Sequence, residues 1–326
     1  MSNINIFELL YPKYKITTPI RLIELFAGIG SQSKALENIK ANFEHYKVVE
    51  FDKYAIKSYN AIHNTNFDVL DITKVKASNL EIIDTKNFTY LLTYSFPCQD
   101  LSCQGKGKGM KKGSNTRSGL LWQVERLLKE TNELPQILLM ENVTQVHNKE
   151  NMEHFKDWML FLEKLGYSNY WQDLNSKDYE IPQNRNRTFM VSILGDYYYE
   201  FPKKEKLNFV IKDLLDKEVE EKYYISEKQL NGMKKTNFNS YSYDTNLIDV
   251  NDISPCIIAG YQRAPHFIIR NGRECVFTPK ECFRFMGFSD LDFEKAQKTN
   301  SDTQLYKQAG NSIVVKVLEK IFEKLL

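Results

Sequence analysis

A chain of 326 residues with 42% hydrophobic and 26% charged residues has the balance of a folded protein, long enough for one large domain carrying a smaller one. A formal net charge of +2 announces no nucleic-acid partner, although a local patch can still supply one. Five cysteines without a CxxC pair or Cys/His cluster argue against a disulfide framework and a structural zinc site, and fit a reducing cytosol. With no run of 18 apolar residues and no basic-then-apolar leader, neither a membrane span nor secretion is expected.

In chain order, residues 21–26 (RLIELF), 46–51 (YKVVEF), 90–95 (YLLTYS) and 136–141 (QILLME) read as buried strands. Amphipathic stretches at 33–39, 55–62 and 120–128 separate them, and residues 188–194 (TFMVSIL) read as a further strand. Continuous apolar strands alternating with helices predict an α/β fold: a mostly parallel sheet covered on both faces. Composition shifts near Asp196, and the Lys-, Glu-, Asn- and Tyr-rich residues 196–255 predict a small separate domain. In the tail, Val314, Val317, Leu318, Ile321 and Leu325 share one helical face, which needs the first half as its partner.

Several motifs sit at the ends of these strands. Phe26-Ala27-Gly28-Ile29-Gly30-Ser31 joins a strand to a helix, where glycines let a ligand approach the backbone, and Glu50 ends the next strand, where an acid can bind a ribose. Ser33 stands where a pyrophosphate-binding loop would have a third glycine, so the pattern suits an adenosine-containing ligand; alone it is equally a tight turn. Pro97-Cys98-Gln99 puts a thiol at a strand end, nucleophilic if its neighbours lower the pKa, otherwise a small buried hydrophobe. Residues 104–113 (QGKGKGMKKG) with Arg117 form a mobile, phosphate-attracting loop or a merely solvated one. Glu141-Asn142-Val143 closes the QILLM strand, Arg185 and Arg187 share one face at the start of TFMVSIL, and Gln308 to Ser312 read as a glycine turn and N-cap opening the last helix.

In this order the motifs FAGIG, FPCQDLS, ENV, QNRNR, RECVFTPKECFRFMGF and QAGNSIVV resemble those of the DNA cytosine-5 methyltransferases, the bacterial modification enzymes, over nearly the whole chain. The resemblance implies a Rossmann-like S-adenosylmethionine-dependent methyltransferase fold with a small target-recognition domain. Its implied division is 1–193 catalytic and cofactor-binding, 194–272 target recognition, 273–302 hinge, and 303–326 a C-terminal helix completing the catalytic domain.

The implied reaction is methyl transfer from S-adenosylmethionine to C5 of a flipped-out cytosine within a short site in double-stranded DNA, through a covalent adduct at C6. Cys98 is the implied nucleophile, Glu141 the acid at N3, and Arg187 the donor to O2 with Arg185 in support. Implied cofactor contacts are Phe26, Gly28, Gly30, Glu50, Phe51 (stacking on adenine), Asp71, Ile72, Pro97, Leu120, Asn311 and Ser312. Implied DNA contacts are Ser102, Gln104 (filling the space the base vacates), Lys106, Lys108, Lys111, Lys112 and Arg117, with Arg263 from the recognition segment. No step needs a metal. A monomer in the bacterial cytoplasm is expected, with a restriction endonuclease for the same site as an unbound counterpart.

Two positions depart from the family pattern: Cys256 stands where Thr is usual and Met286 where Gln is usual. A tRNA-methylating relative would carry Cys-Phe-Thr in its recognition region, which is absent from 196–272. Intact Cys98, Glu141 and Arg187 argue against a non-catalytic DNA-binding module, and the missing third glycine argues against an oxidoreductase.

Overall fold

The computed structural model describes residues 10–98, 101, 110–112, 118–235, 243–263 and 265–326. Six strands form one sheet in the order β2-β1-β3-β4-β6-β5, with β1 Ile20–Leu25, β2 Phe43–Val49, β3 Thr89–Tyr94, β4 Ile137–Val143, β5 Tyr167–Asn175 and β6 Asn186–Leu194. The first four strands run parallel, while β6 is antiparallel to both β4 and β5. Successive side chains feed opposite cores: Tyr90, Leu92 and Tyr94 of β3 enter one and Leu91 the other.

Helix α1 Ser31–Asn38 and helix α2 Lys53–His63 follow β1 and β2; helix α3 Leu121–Glu130 and helix α4 Met152–Lys164 flank β4. Leu121, Val124 and Leu127 of α3, with Phe155, Trp158 and Leu162 of α4, cover one sheet face. Ala35 and Leu36 of α1 cover the other. The pair α4–β5 was not expected from sequence. β5 is an edge strand, largely half-buried or exposed, and its sequence YSNYWQDLN has no apolar run.

Beyond β6 the chain is mostly irregular, with short helices α5 Glu227–Lys235 and α6 Tyr243–Asn246. A hairpin follows, β7 Phe267–Arg270 and β8 Arg273–Val276, turned by Asn271 and Gly272 at φ 51° and 76°. Two left-handed residues match the twist of the flanking strands. Helices α7 Pro279–Phe285, α8 Asp290–Gln297, α9 Asp302–Asn311 and α10 Val315–Glu323 complete the chain. Thr278 and Glu281 cap α7 reciprocally.

The apolar face of α10 packs against α1, and Asn38 Nδ2 donates to Glu319 Oε1 at 2.6 Å. One expectation is corrected here. Residues 308–311 do not open this last helix; they end α9, with Ser312 as its C-cap. Gly310 is helical, and a Cβ there would lie 2.1 Å from the backbone of Ile258 and Ala259. Its glycine serves close approach of another segment, not a turn.

Candidate active site

Parallel strands bring their carboxyl ends to one edge of the sheet, where ligand clefts form. Phe26 and Gly28 leave β1 at φ 59° and 58°, Glu50 directly follows β2, Cys98 follows β3, and Glu141 lies near the end of β4. Because β6 is antiparallel to β4, its beginning arrives at the same edge, and Arg187 pairs with Val143. That reversal carries Arg185 and Arg187 to Glu141.

The cleft so formed has a volume of about 1020 Å³. Phe26, Gly28, Glu50, Phe51, Asp71 and Ile72 line one wall; Pro97, Cys98, Glu141, Arg185 and Arg187 line the other; Leu120, Asn311 and Ser312 also border it. Gly30 does not line it. It caps α1 at φ 82°, and a Cβ there would lie 2.3 Å from His63 Nε2. Ser102, Gln104, Lys106, Lys108 and Arg117 lie outside the described residues. Lys111 and Lys112 are exposed; Lys112 pairs with Glu125 at 2.6 Å and lies over the Trp122 ring. Arg263 is exposed at the end of a short turn and does not reach the cleft.

On the first wall, Glu50 Oε2 accepts from Gly28 N at 2.9 Å and Oε1 from Asp52 N at 2.7 Å. Burial raises the Glu50 pKa, against the pull of these amides. The Phe51 amide also reaches this carboxylate, and one lone pair remains for a hydroxyl. Beside it Phe51 is 73% exposed, Val69 45% and Leu70 41%. A bare aromatic ring and two aliphatic chains next to a hydroxyl-binding carboxylate fit an adenosine. This fit supports the S-adenosylmethionine expectation. Val69 and Leu70 were not singled out from sequence, because they lie in a coil without periodicity.

The second wall is built of buried charge. Arg185 Nη1 donates to Ile257 O at 2.8 Å, and Nη2 to Gly310 O at 3.0 Å and Ser312 O at 2.7 Å. Arg187 Nε lies 3.4 Å from Glu141 Oε1. Both guanidiniums also meet Cys256 Sγ, at 3.3 Å from Arg185 Nη1 and 3.7 Å from Arg187 Nη2. Asn142 Nδ2 donates to Phe96 O at 2.9 Å and so fastens the turn that presents Cys98.

Burial pushes the Glu141 carboxyl up, against Arg187 and Arg185, which favours a protonated acid. The Cys98 thiol is also pushed up, by burial and then by Glu141, with the arginines opposing. Among the described residues burial and Glu141 outweigh the two arginines, so the thiol is not drawn down as the condition for a resting thiolate requires. Cys256 shows the reverse: burial alone would raise it, but Arg185 and Arg187 pull it below the usual thiol range.

The C-5 cytosine-specific DNA methylase family model matches residues 20–326. A type II methyltransferase of Lactococcus lactis subsp. cremoris, M2.ScrFI, is 34% identical, the alignment covering 94% of this chain and 99% of that protein. An orphan methyltransferase of Spiroplasma monobiae, M.SssI, is 33% identical over 95% of this chain and 98% of its own length. Among solved structures, a Dnmt2 methyltransferase of S. pombe superposes with a TM-score of 0.74 at 23% identity, covering 95% and 98% of the two chains. The Entamoeba histolytica methyltransferase EhMeth gives 0.77 at 22% identity with the same coverage. At such identities the structural likeness speaks for the fold alone.

Proposed function

Because the chain belongs to the C-5 cytosine-specific DNA methylase family and transfers methyl from S-adenosylmethionine to C5 of cytosine in DNA, we propose that Cys98, Glu141 and Arg187 are its catalytic groups. One observation carries the reading: a thiol, a buried carboxyl and a guanidinium line the same cleft as Glu50 and Phe51. S-adenosylmethionine supplies the methyl group as an electrophile. Everything else falls to the protein's own side chains.

Cys98 Sγ gives up its proton to solvent as it bonds to C6 of the base, and the electrons of the C5–C6 double bond move toward N3 and O2. Glu141 delivers a proton to N3, which its upward-shifted pKa favours. Arg187 donates to O2, where charge accumulates. C5, made nucleophilic, takes the methyl and leaves S-adenosylhomocysteine; a solvent-derived base removes the C5 proton, the C5–C6 double bond re-forms as Cys98 leaves as a thiolate, and N3 returns its proton to Glu141. Arg185, engaged with three carbonyls, holds the second wall in place.

Glu50 and Phe51 bind the ribose and adenine, Gly28 presents backbone, and Asp71, Ile72, Pro97, Leu120, Asn311 and Ser312 complete the cofactor side. Gly30 acts from behind the loop. Ser102, Gln104, Lys106, Lys108, Lys111, Lys112, Arg117 and Arg263 are proposed to meet the DNA. The proposed division is 1–193 with the tail from 303 for catalysis, 194–272 for site recognition and 273–302 as hinge; the packing of α10 on α1 supports the first part. No described helix is long and apolar enough to cross a membrane. A cytoplasmic monomer is proposed. The type II names of relatives support a separate endonuclease for the same site.

Labelled methyl transfer to double-stranded DNA, with tRNA as control, tests the substrate. DNA carrying 5-fluorocytosine tests the residue, because fluorine cannot leave as a cation and the adduct persists. A trapped peptide containing Cys98 is expected; one containing Cys256 would overturn the assignment.

A further inference from the structure

We propose that Glu37, His45 and His63 form a binding site for one divalent transition-metal ion, Zn²⁺ by its donor set, behind the cofactor loop. Glu37 lies on α1, His45 on β2 and His63 ends α2. One donor atom from each falls within 4.8 Å of the other two. Glu37 Oε1 is 2.6 Å from His63 Nδ1 and 3.6 Å from His45 Nε2.

The hydrogen-bond directions make these ligands rather than a chance cluster. Ser33 Oγ and Tyr59 OH both donate to buried Glu24 Oε2, at 2.6 and 2.5 Å. With Glu24 ionised, each spends its single hydrogen there, so toward His45 Nδ1, at 2.9 and 3.2 Å, they accept. Nδ1 therefore carries the proton, and Nε2 points a lone pair at a carboxylate oxygen. Among the described residues no donor reaches that nitrogen.

His63 Nε2 lies 3.1 Å from Ile29 O and so donates to it, leaving Nδ1 for Glu37. A proton on Nδ1 satisfies that contact but not the two acceptors at 3.6 Å. A cation satisfies all three. Both imidazoles thus spend their outer N–H on a hydroxyl–carboxylate relay or a backbone carbonyl, the arrangement that orients metal-binding histidines. The second carboxylate oxygen, Glu37 Oε2, is held by Lys34 Nζ at 2.6 Å, itself paired with Asp292 at 2.8 Å. One oxygen is left for the metal. Tetrahedral bonds of about 2.0–2.2 Å require ligand separations of about 3.3–3.6 Å, so the pair at 3.6 Å is within reach and the pair at 2.6 Å opens as metal replaces a proton. Glu37 and His45 are only half-buried, which admits a water as fourth ligand. Sequence spacing gave no hint of this, because the ligands come from three elements with no short motif.

The site would tie three elements to the loop that holds the cofactor, a structural role outside the methyl-transfer chemistry. The test uses the full chain stripped of metal, with Co²⁺ and Zn²⁺ alone as probes. One equivalent of Co²⁺ should give visible ligand-field bands without thiolate charge-transfer bands, Zn²⁺ should displace it, and Zn²⁺ should raise Tm. His45→Gln and Glu37→Gln should each abolish the bands and the Zn²⁺-dependent rise in Tm. Ser33→Ala should weaken Zn²⁺ about 10- to 100-fold, as loss of an orienting partner does. Absence of binding, thiolate charge-transfer bands, or unchanged Zn²⁺ affinity in either Gln variant that retains the native circular dichroism would overturn the proposal; should both Gln variants unfold, unchanged affinity in Ser33→Ala would do so.

Discussion

The two walls of the cleft solve different problems with different materials. The Glu50–Phe51 wall offers backbone amides, one carboxylate and an exposed apolar shelf, each touching a separate part of a ligand. The Cys98–Glu141 wall gathers two arginines, a carboxyl and two thiols, with Arg187 against Glu141 and both arginines against Cys256, so that burial and neighbouring charge together set the protonation of Cys98, Glu141 and Cys256. A wall of independent contacts should respond to mutation in graded, roughly additive steps. A wall of coupled charges should fail together.

The largest expected effect lies on the coupled wall. Cys98→Ser should abolish methyl transfer in a labelled assay while leaving S-adenosylmethionine and DNA binding intact, since a hydroxyl is not ionised near neutrality. Residual turnover above background would break the comparison at its centre. Next come the paired arginines. Arg185→Ala leaves three buried carbonyls without a donor, and should lower unfolding free energy by at least about 3 kcal/mol in urea titrations. Arg187→Ala should stop turnover but stay within about 1 kcal/mol of wild-type stability, because its side chain faces the cleft.

On the other wall, Glu50→Ala should weaken S-adenosylmethionine about 10- to 150-fold by calorimetry, the value of one charge-assisted hydrogen bond, with DNA affinity unchanged. Phe51→Ala should cost about 0.5–1.5 kcal/mol, and the two losses should add. The subtlest test is titration. Burial and Glu141 hold the Cys98 thiol above its usual range, so its alkylation should rise with pH through a midpoint higher than that of a free cysteine. In Glu141→Gln no carboxylate can form beside the thiol as pH rises, and that midpoint should fall. Cys256, drawn down by the arginines, should show the lower midpoint of the two when peptides are followed by mass spectrometry.

The additive wall and its strands were largely legible in sequence, because β1 to β4 are continuous apolar runs and the loops after them carry glycine, acid and cysteine at fixed offsets. β5 was not, since an edge strand needs only one buried face. The hairpin β7–β8 announces itself through Asn271-Gly272, yet lies past the composition shift that drew attention. Gly310 was misread because a glycine at a helix end suggests a turn, whereas here it makes room for residues 258–259. The resting state of Cys98 was illegible in principle. It depends on burial and on Glu141, which only the β4–β6 register and the fold of the cleft bring beside it.

The packing of α10 against α1 also has a meaning in time. From Ser31 to Glu323 a ribosome adds roughly 290 residues, which at about 5–20 residues per second takes on the order of 15–60 s. Throughout that interval the apolar face of α1 lacks its α10 partner, and Arg185, once made, lacks the carbonyls of Gly310 and Ser312 until they follow. A chain cut short before Val315 is therefore expected to leave the α1 face bare and to lose both methyl transfer and solubility, which activity and sedimentation of the truncated chain would show.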